Sequence, residues 1–230
     1  MLLRRAVAEA VGTGLLVLAV VGSGIAASRL SPDMGVQLLA NALATAGALV
    51  AIILALGPVS GAHLNPVVTL ADLVVGGLRA GEAAGYVAAQ VAGGAAGAIV
   101  ANFMFSEPAV ELSTHSRGSG ALWLSEVVAT FGLLLVILGV VRSGRVPVAP
   151  FAVAAYIGGA YFFTSSTSFA NPAVTMARSL SDTFAGIHPG SVPMFVACQV
   201  TGAGVALGLM RFLYPPLPHE IVLDQEMSDA

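Results

Sequence analysis

The stretch 168-SFANPAVTMAR-178 has a partner about a hundred residues upstream, 61-GAHLNPVVTLAD-72, and the pair decides how the chain folds. Each copy runs Asn-Pro, an apolar residue, Val, Thr. Proline suits the first turn of a helix, where its missing N–H would be unpaired anyway, and the asparagine ahead of it is a good N-cap. The spacing therefore predicts that Asn65 and Asn171 each start a short helix of about ten residues.

The flanks of these motifs are strongly apolar. Of the 230 residues, 57% are hydrophobic and only 9% charged, and the mean hydropathy is +0.91; soluble domains carry roughly 25% charged residues. A membrane-crossing helix needs about 20 mostly apolar residues. Six segments meet that need: 6–27, 34–56, 81–105, 121–141, 146–163 and 191–213. The first is too long for the apolar core of a signal peptide and is read as a span.

The two Asn-Pro copies lie in the intervening segments 57–77 and 164–190, which are too broken by turn-formers to cross. A short helix between spans suggests a re-entrant segment, and irregular backbone at membrane depth is tolerated only where protein covers it or it lines a wet cavity. Both loops are expected to face a pore.

The repeat extends further. AEAVGTGLLVLAV from Ala8 pairs with SEVVATFGLLLVI from Ser125, setting Glu9 opposite Glu126 and Thr13 opposite Thr130. Each half is three spans plus one half-helix (about 6–105 and 121–213), and an odd number of spans inverts the second half. The expected fold is an all-α membrane protein of six transmembrane helices and two re-entrant half-helices, an inverted 3+3 repeat with its site near the midplane. Residues 1–213 form a single domain, and 214–230 an acidic, flexible cytoplasmic tail.

Charge sets the orientation and removes some functions. All nine basic residues are arginine, and the net charge is -3, so no nucleic-acid surface is present. Arg4, Arg5, Arg79, Arg142, Arg145 and Arg211 fall on one side of the six-span scheme, against Arg29, Arg117 and Arg178 on the other, which puts both termini in the cytoplasm. The lone Cys198 excludes an internal disulfide or a thiolate metal cluster. His115 and His188 lack further ligands for a metal, and no cofactor is implied.

In an inverted repeat the half-helices enter from opposite faces and meet N-terminus to N-terminus. Each end carries about half a positive charge and unpaired N–H donors, a centre unfavourable to cations. With their carbonyl oxygens used in capping, Asn65 and Asn171 offer amide donors to a passing oxygen. A water held by two donors there cannot readily continue a proton wire, which predicts passage of neutral hydroxylated molecules without protons.

The paired motifs (Asn65, Pro66, Val67 and Asn171, Pro172, Ala173), the SGAHLNP lead-in and the doubled Glu-x-x-x-Thr resemble the aquaporin or major intrinsic protein family over nearly the whole chain. The likeness is aquaglyceroporin-like, with an atypical filter. It implies the aquaporin fold, a right-handed six-helix bundle, homotetrameric, in a cell's inner (plasma) membrane, with one pore per subunit. It implies that Glu9 and Glu126 are buried scaffold residues holding loop carbonyls along the pore; the alternative is an anchor in the headgroup region. It implies a loop-positioning role for His63, against a pH-sensitive vestibule residue.

Two departures from the family pattern stand out. The first motif has Val67 where alanine is usual, and the position after the second Asn-Pro-Ala, usually arginine, is Val174. The family's spacing places Thr45, Gly159 and Ser168 at the other constriction positions. This set implies a wide, partly apolar, neutral filter, suited to water, glycerol-like polyols, urea-like solutes and neutral metalloid hydroxides such as arsenous acid. Arg178, one turn beyond Val174, either adds charge deeper along the helix or pairs with Asp182; the pairing is favoured, since a wide neutral channel offers arginine no partner. Glycines 93, 94, 97, 202, 204 and 208 are read as helix-packing positions.

Three other readings remain. A mainly water-selective channel needs another residue to narrow the pore. An ion-coupled transporter needs a midplane acidic pair, for which only Glu9 and Glu126 are available. An enzyme needs a nucleophile–base pair or a metal set, and the spans offer neither.

Overall fold

A computed structural model describes residues 2–214, and the tail expectation for 214–230 lies outside these apart from Tyr214. The described residues form eight α-helices: α1 (Leu2–Leu30), α2 (Met34–Ser60), α3 (Pro66–Val75), α4 (Ala80–Met104), α5 (Gly120–Arg142), α6 (Ala149–Phe163), α7 (Pro172–Arg178) and α8 (Val192–Leu213). Single 3-10 turns, Val146–Val148 and Pro189–Ser191, lead into α6 and α8. All six expected spans are helices long and apolar enough to cross a membrane. The first runs several residues past its apolar stretch at each end, because Arg4, Arg5, Ser28 and Arg29 continue the helix while hydropathy marks only its middle.

Glycine sets the closest helix crossings, and does so in the same way in both halves. A Cβ on Gly93 or Gly97 of α4 would overlap the carbonyl oxygens of Ala10 and Gly14 on α1. In the second half, a Cβ on Gly202 of α8 would overlap the Val127 carbonyl on α5. Close backbone approach of this kind is how helices gain contact in lipid, where burial of apolar surface gives no drive for association. Gly94 packs against Ala177 of α7. Gly204 and Gly208 do not fit the packing expectation: both are exposed and have open space where a side chain would project. Outward-facing side chains elsewhere are large and apolar, among them Leu43, Phe103, Leu124 and Phe151, as a lipid-facing surface requires.

The half-helices differ in length. α3 runs to a left-handed Gly76 (φ 89°), the usual glycine stop. α7 is shorter than the expected ten residues, because the chain turns at Ser179 and hands its carbonyls to another loop. Ser113 N–H donates to Ser179 O (3.0 Å) and Glu111 N–H to Leu180 O (3.1 Å). The segment after α7 is thereby fastened to the one after α4.

Candidate functional site

Two buried carboxylates build the site. Glu9 on α1 is fully buried and accepts four hydrogen bonds: from Ser60 Oγ (2.6 Å), His63 N–H (2.9 Å), Leu64 N–H (2.7 Å) and Gln90 Nε2 (2.8 Å). Glu126 on α5, equally buried, accepts three: from Phe169 N–H (3.0 Å), Ala170 N–H (2.9 Å) and Gln199 Nε2 (2.6 Å). Charge-assisted bonds of this kind are about twice as strong as neutral ones. They fasten the two residues before each Asn-Pro.

That fastening holds an uncommon backbone. Ala62 and Leu64 in one loop, and Ser168 and Ala170 in the other, adopt left-handed φ of 47°, 54°, 52° and 48°. Each such conformation costs a non-glycine residue on the order of 1–3 kcal/mol and persists only where its surroundings fix it. Here the carboxylates fix the loops, aided by Ser60 Oγ on the Ala62 N–H (3.0 Å) and Ser166 Oγ on the Ser168 N–H (3.3 Å).

The loops deliver two half-helices head to head. Asn65 Oδ1 accepts from Val67 N–H (3.0 Å), and Asn171 Oδ1 from Ala173 (3.0 Å) and Val174 (3.2 Å). Pro66 and Pro172 occupy the first turns, as the sequence predicts. The amide nitrogens cross over: Asn65 Nδ2 donates to Ala170 O (2.8 Å), and Asn171 Nδ2 to Leu64 O (2.7 Å). An asparagine amide has two N–H donors, so each keeps one. Both residues border a cavity of about 740 Å³.

Of the four expected constriction residues, Thr45, Ser168 and Val174 line this cavity. Gly159 does not. It is exposed on the opposite side of α6, so its assignment needs correcting. The lining residue is Tyr161, two positions on, because Pro150, Val153, Ile157 and Tyr161 share the inward stripe of α6. The Tyr161 hydroxyl lies 3.1 Å from Thr45 Oγ1. Family spacing missed it; the 3.6-residue period of that stripe reveals it.

Arg178 also departs from expectation. It is 2% exposed and makes no ion pair with Asp182. Asp182 instead accepts from Thr114 N–H (2.8 Å) and its hydroxyl (3.1 Å), because the turn after α7 carries it towards the 111–115 segment. The Thr114 N–H is the main reason its carboxyl is held below the usual carboxylate range. Arg178 Nε donates to Ala185 O, and the residue borders the cavity. Its guanidinium lies over one face of Phe169, with Arg117 also against that ring. Burial pulls the Arg117 guanidinium below its ordinary range, and the charge of Glu126 opposes the shift.

His63 is tied to its surroundings through both backbone and ring. Its backbone N–H is held by Glu9, and its ring contacts Thr69 Oγ1 (3.2 Å), approaches Asp72 (3.8 Å) and packs edge-on to Tyr86. His63 also borders the cavity. Val67 and Ala173 are buried in the packing around the half-helices, and Val67 does not border the cavity.

Gln90 and Gln199 escaped the sequence reading. Each joins its carboxylate to a half-helix threonine, Gln90 to Thr69 (2.9 Å) and Gln199 to Thr175 (2.8 Å). The signal was present, since Gln-Val-x-Gly recurs at Gln90 and Gln199. Thr13 and Thr130, though doubled in the sequence, are buried with hydroxyls that find no hydrogen-bond partner among the described residues.

Known proteins resemble the chain along its length. Residues 1–167 match the model of the family described as MIP, major intrinsic protein. Aquaglyceroporin AqpS of Rhizobium meliloti is 52% identical over 94% of this chain and 92% of its own length. Aquaporin AqpM of Methanothermobacter marburgensis is 32% identical over 92% and 98%. The X-ray structure of the aquaglyceroporin from Plasmodium falciparum shares the fold, with a TM-score of 0.69 at 21% identity, covering 91% of this chain and 96% of that one. With its paired half-helices and their carboxylate supports, the chain belongs to the major intrinsic protein family.

Proposed function

We propose that the protein is a passive channel for small uncharged solutes: glycerol-like polyols, urea-like solutes, neutral metalloid hydroxides such as arsenous acid, and water. The observation that carries this is the meeting of two helix N-termini across the reciprocal Asn65 and Asn171 bonds, beside a lined cavity. Two positive helix ends disfavour a cation, while the free amide donors suit a neutral hydroxyl. The relative named an aquaglyceroporin points the same way.

In this reading residues 1–213 act as one channel unit, and four copies assemble, each with its own pore. Both termini face the cytoplasm of a cell's inner (plasma) membrane. The support is the gathering of Arg4, Arg5, Arg79, Arg142, Arg145 and Arg211 at helix ends on one face, in line with the positive-inside rule. Turnover of bound substrate forms no part of the reading, so the protein is not an enzyme.

A mainly water-conducting channel is the second reading, favoured by Tyr161 beside Thr45 on the wall. Stopped-flow shrinkage of proteoliposomes in gradients of glycerol, urea, arsenous acid and an impermeant osmolyte separates the two. Glycerol entry well above that of empty vesicles, unaffected by an uncoupler, supports the broad channel. Water flux alone supports the narrow one, and flux abolished by an uncoupler supports a coupled transporter.

A further inference from the structure

One buried cation on the cavity wall is not explained by the loop scaffold. Arg178 sits at the end of α7, 2% exposed. Of its five guanidinium donors, only Nε has a partner among the described residues, the Ala185 carbonyl. No carboxylate lies within ion-pair distance of it among those residues. The charged or titratable groups around it are Arg117, Tyr161 and Glu126, and the nearest aromatic surface is Phe169, whose ring centroid is 3.4 Å from its guanidinium carbon.

A guanidinium buried with most donors unused is strongly unfavourable unless something solvates them. Arg178 borders the cavity together with Thr45, Tyr161 and Ser168, so whatever fills the cavity serves those donors. Helical side chains lean towards the N-terminus of their helix and cover the turn before their own Cα. A long side chain at 178 thus covers the wall beside Val174, whose small side chain leaves room for it.

We propose that Arg178 supplies the filter's cationic hydrogen-bond donor, reaching from one turn beyond Val174, held in place by the Phe169 ring and the Ala185 carbonyl. This rests on the channel reading and corrects its neutral filter. The ring then comprises the Thr45 and Tyr161 hydroxyls, the apolar Val174 and a guanidinium. It repels cations before they reach the Asn65–Asn171 centre and donates to the hydroxyl oxygens of passing solutes.

The test uses the full chain in proteoliposomes, comparing wild type with Arg178→Leu and Arg178→Lys for water, glycerol and potassium flux. For Arg178→Leu the shorter side chain widens the ring, which outweighs the lost donor, so the glycerol-to-water permeability ratio is expected to rise about tenfold, the scale of steric discrimination between solutes of different size, with a potassium leak absent from wild type. Arg178→Lys keeps the charge but cannot both bond Ala185 and stack as a plane on Phe169, so potassium stays excluded while the glycerol ratio still rises. Wild-type ratios and no leak in Arg178→Leu overturn the proposal. If that variant does not fold, an unchanged ratio in Arg178→Lys overturns it. Wild-type vesicles no more permeable than empty ones would overturn the channel reading itself.

Discussion

Asn65 and Asn171 each donate to the carbonyl just before the other: Asn65 Nδ2 to Ala170 O at 2.8 Å and Asn171 Nδ2 to Leu64 O at 2.7 Å. Each motif therefore positions its counterpart, and the two helix N-termini are locked in register by groups that also border the cavity. This accounts for the repeat physically: a single Asn-Pro loop would have neither the partner carbonyl nor the opposing dipole.

Asn171→Asp keeps the capping oxygen on Ala173 and Val174 but sets a carboxylate against the Leu64 carbonyl. Losing a buried donor in this way costs about 1–3 kcal/mol, and the new negative charge partly cancels the positive centre. The expected results are a lower unfolding temperature in detergent and a measurable cation leak in proteoliposomes. Intact cation exclusion in this variant would show that the barrier lies elsewhere.

The carboxylates predict an asymmetry between the halves. Glu9 accepts four bonds and Glu126 three, the difference being Ser60 Oγ. Glutamine presents one acceptor oxygen instead of two, so Glu9→Gln leaves more donors unsatisfied than Glu126→Gln. With hydrogen bonds to charged groups worth about 1.5–3 kcal/mol each, Glu9→Gln is expected to be the less stable by about one such bond. Denaturation of the two variants side by side measures it.

The sequence made the scaffold legible because its signals are local. Six apolar runs, two Asn-Pro caps and a doubled glutamate each depend on a few adjacent residues, and the backbone responds to those directly. The filter was less legible, because it is assembled by distance. Gly159 was assigned by counting along the chain from Asn171, whereas facing is set by helical phase, which brings Tyr161 inward. Arg178 and Asp182 have the spacing of a helical pair, but the helix ends at Arg178 and the chain turns away. Gly204 and Gly208 carry the same small-residue spacing as Gly93 and Gly97, yet only the latter pair meets a neighbouring backbone.

The clasp between the loops that follow α4 and α7 has a pH signature. Asp182 is held below the usual carboxylate range, first by the Thr114 N–H and then by its hydroxyl. Because the folded value is depressed, the clasp is complete above the ordinary aspartate pKa of about 3.9 and is lost as pH falls through the lowered value. Hydrogen-exchange protection of the Thr114 amide is expected to be higher in wild type than in Asp182→Asn near pH 6. The difference should disappear once the pH has fallen through the lowered value and the carboxyl is protonated. A difference that persisted there would mean the amide is protected by something other than this carboxylate.

Two substitutions separate the residues that line the filter from those that counting suggested. Gly159 is exposed on α6, so Gly159→Ala is expected to leave the glycerol-to-water ratio unchanged, while Tyr161→Ala removes the phenol beside Thr45 and raises it. Val174→Arg works in the opposite direction. It adds a second guanidinium to a wall already carrying Arg178, narrowing the passage, and is expected to lower the ratio by about tenfold, the scale of steric discrimination between solutes of different size. Stopped-flow light scattering on the three variants and wild type measures all of these. A Val174→Arg channel with unaltered glycerol entry would remove Val174 from the constriction, and a Gly159→Ala effect equal to that of Tyr161→Ala would restore the position that helical phase assigns elsewhere.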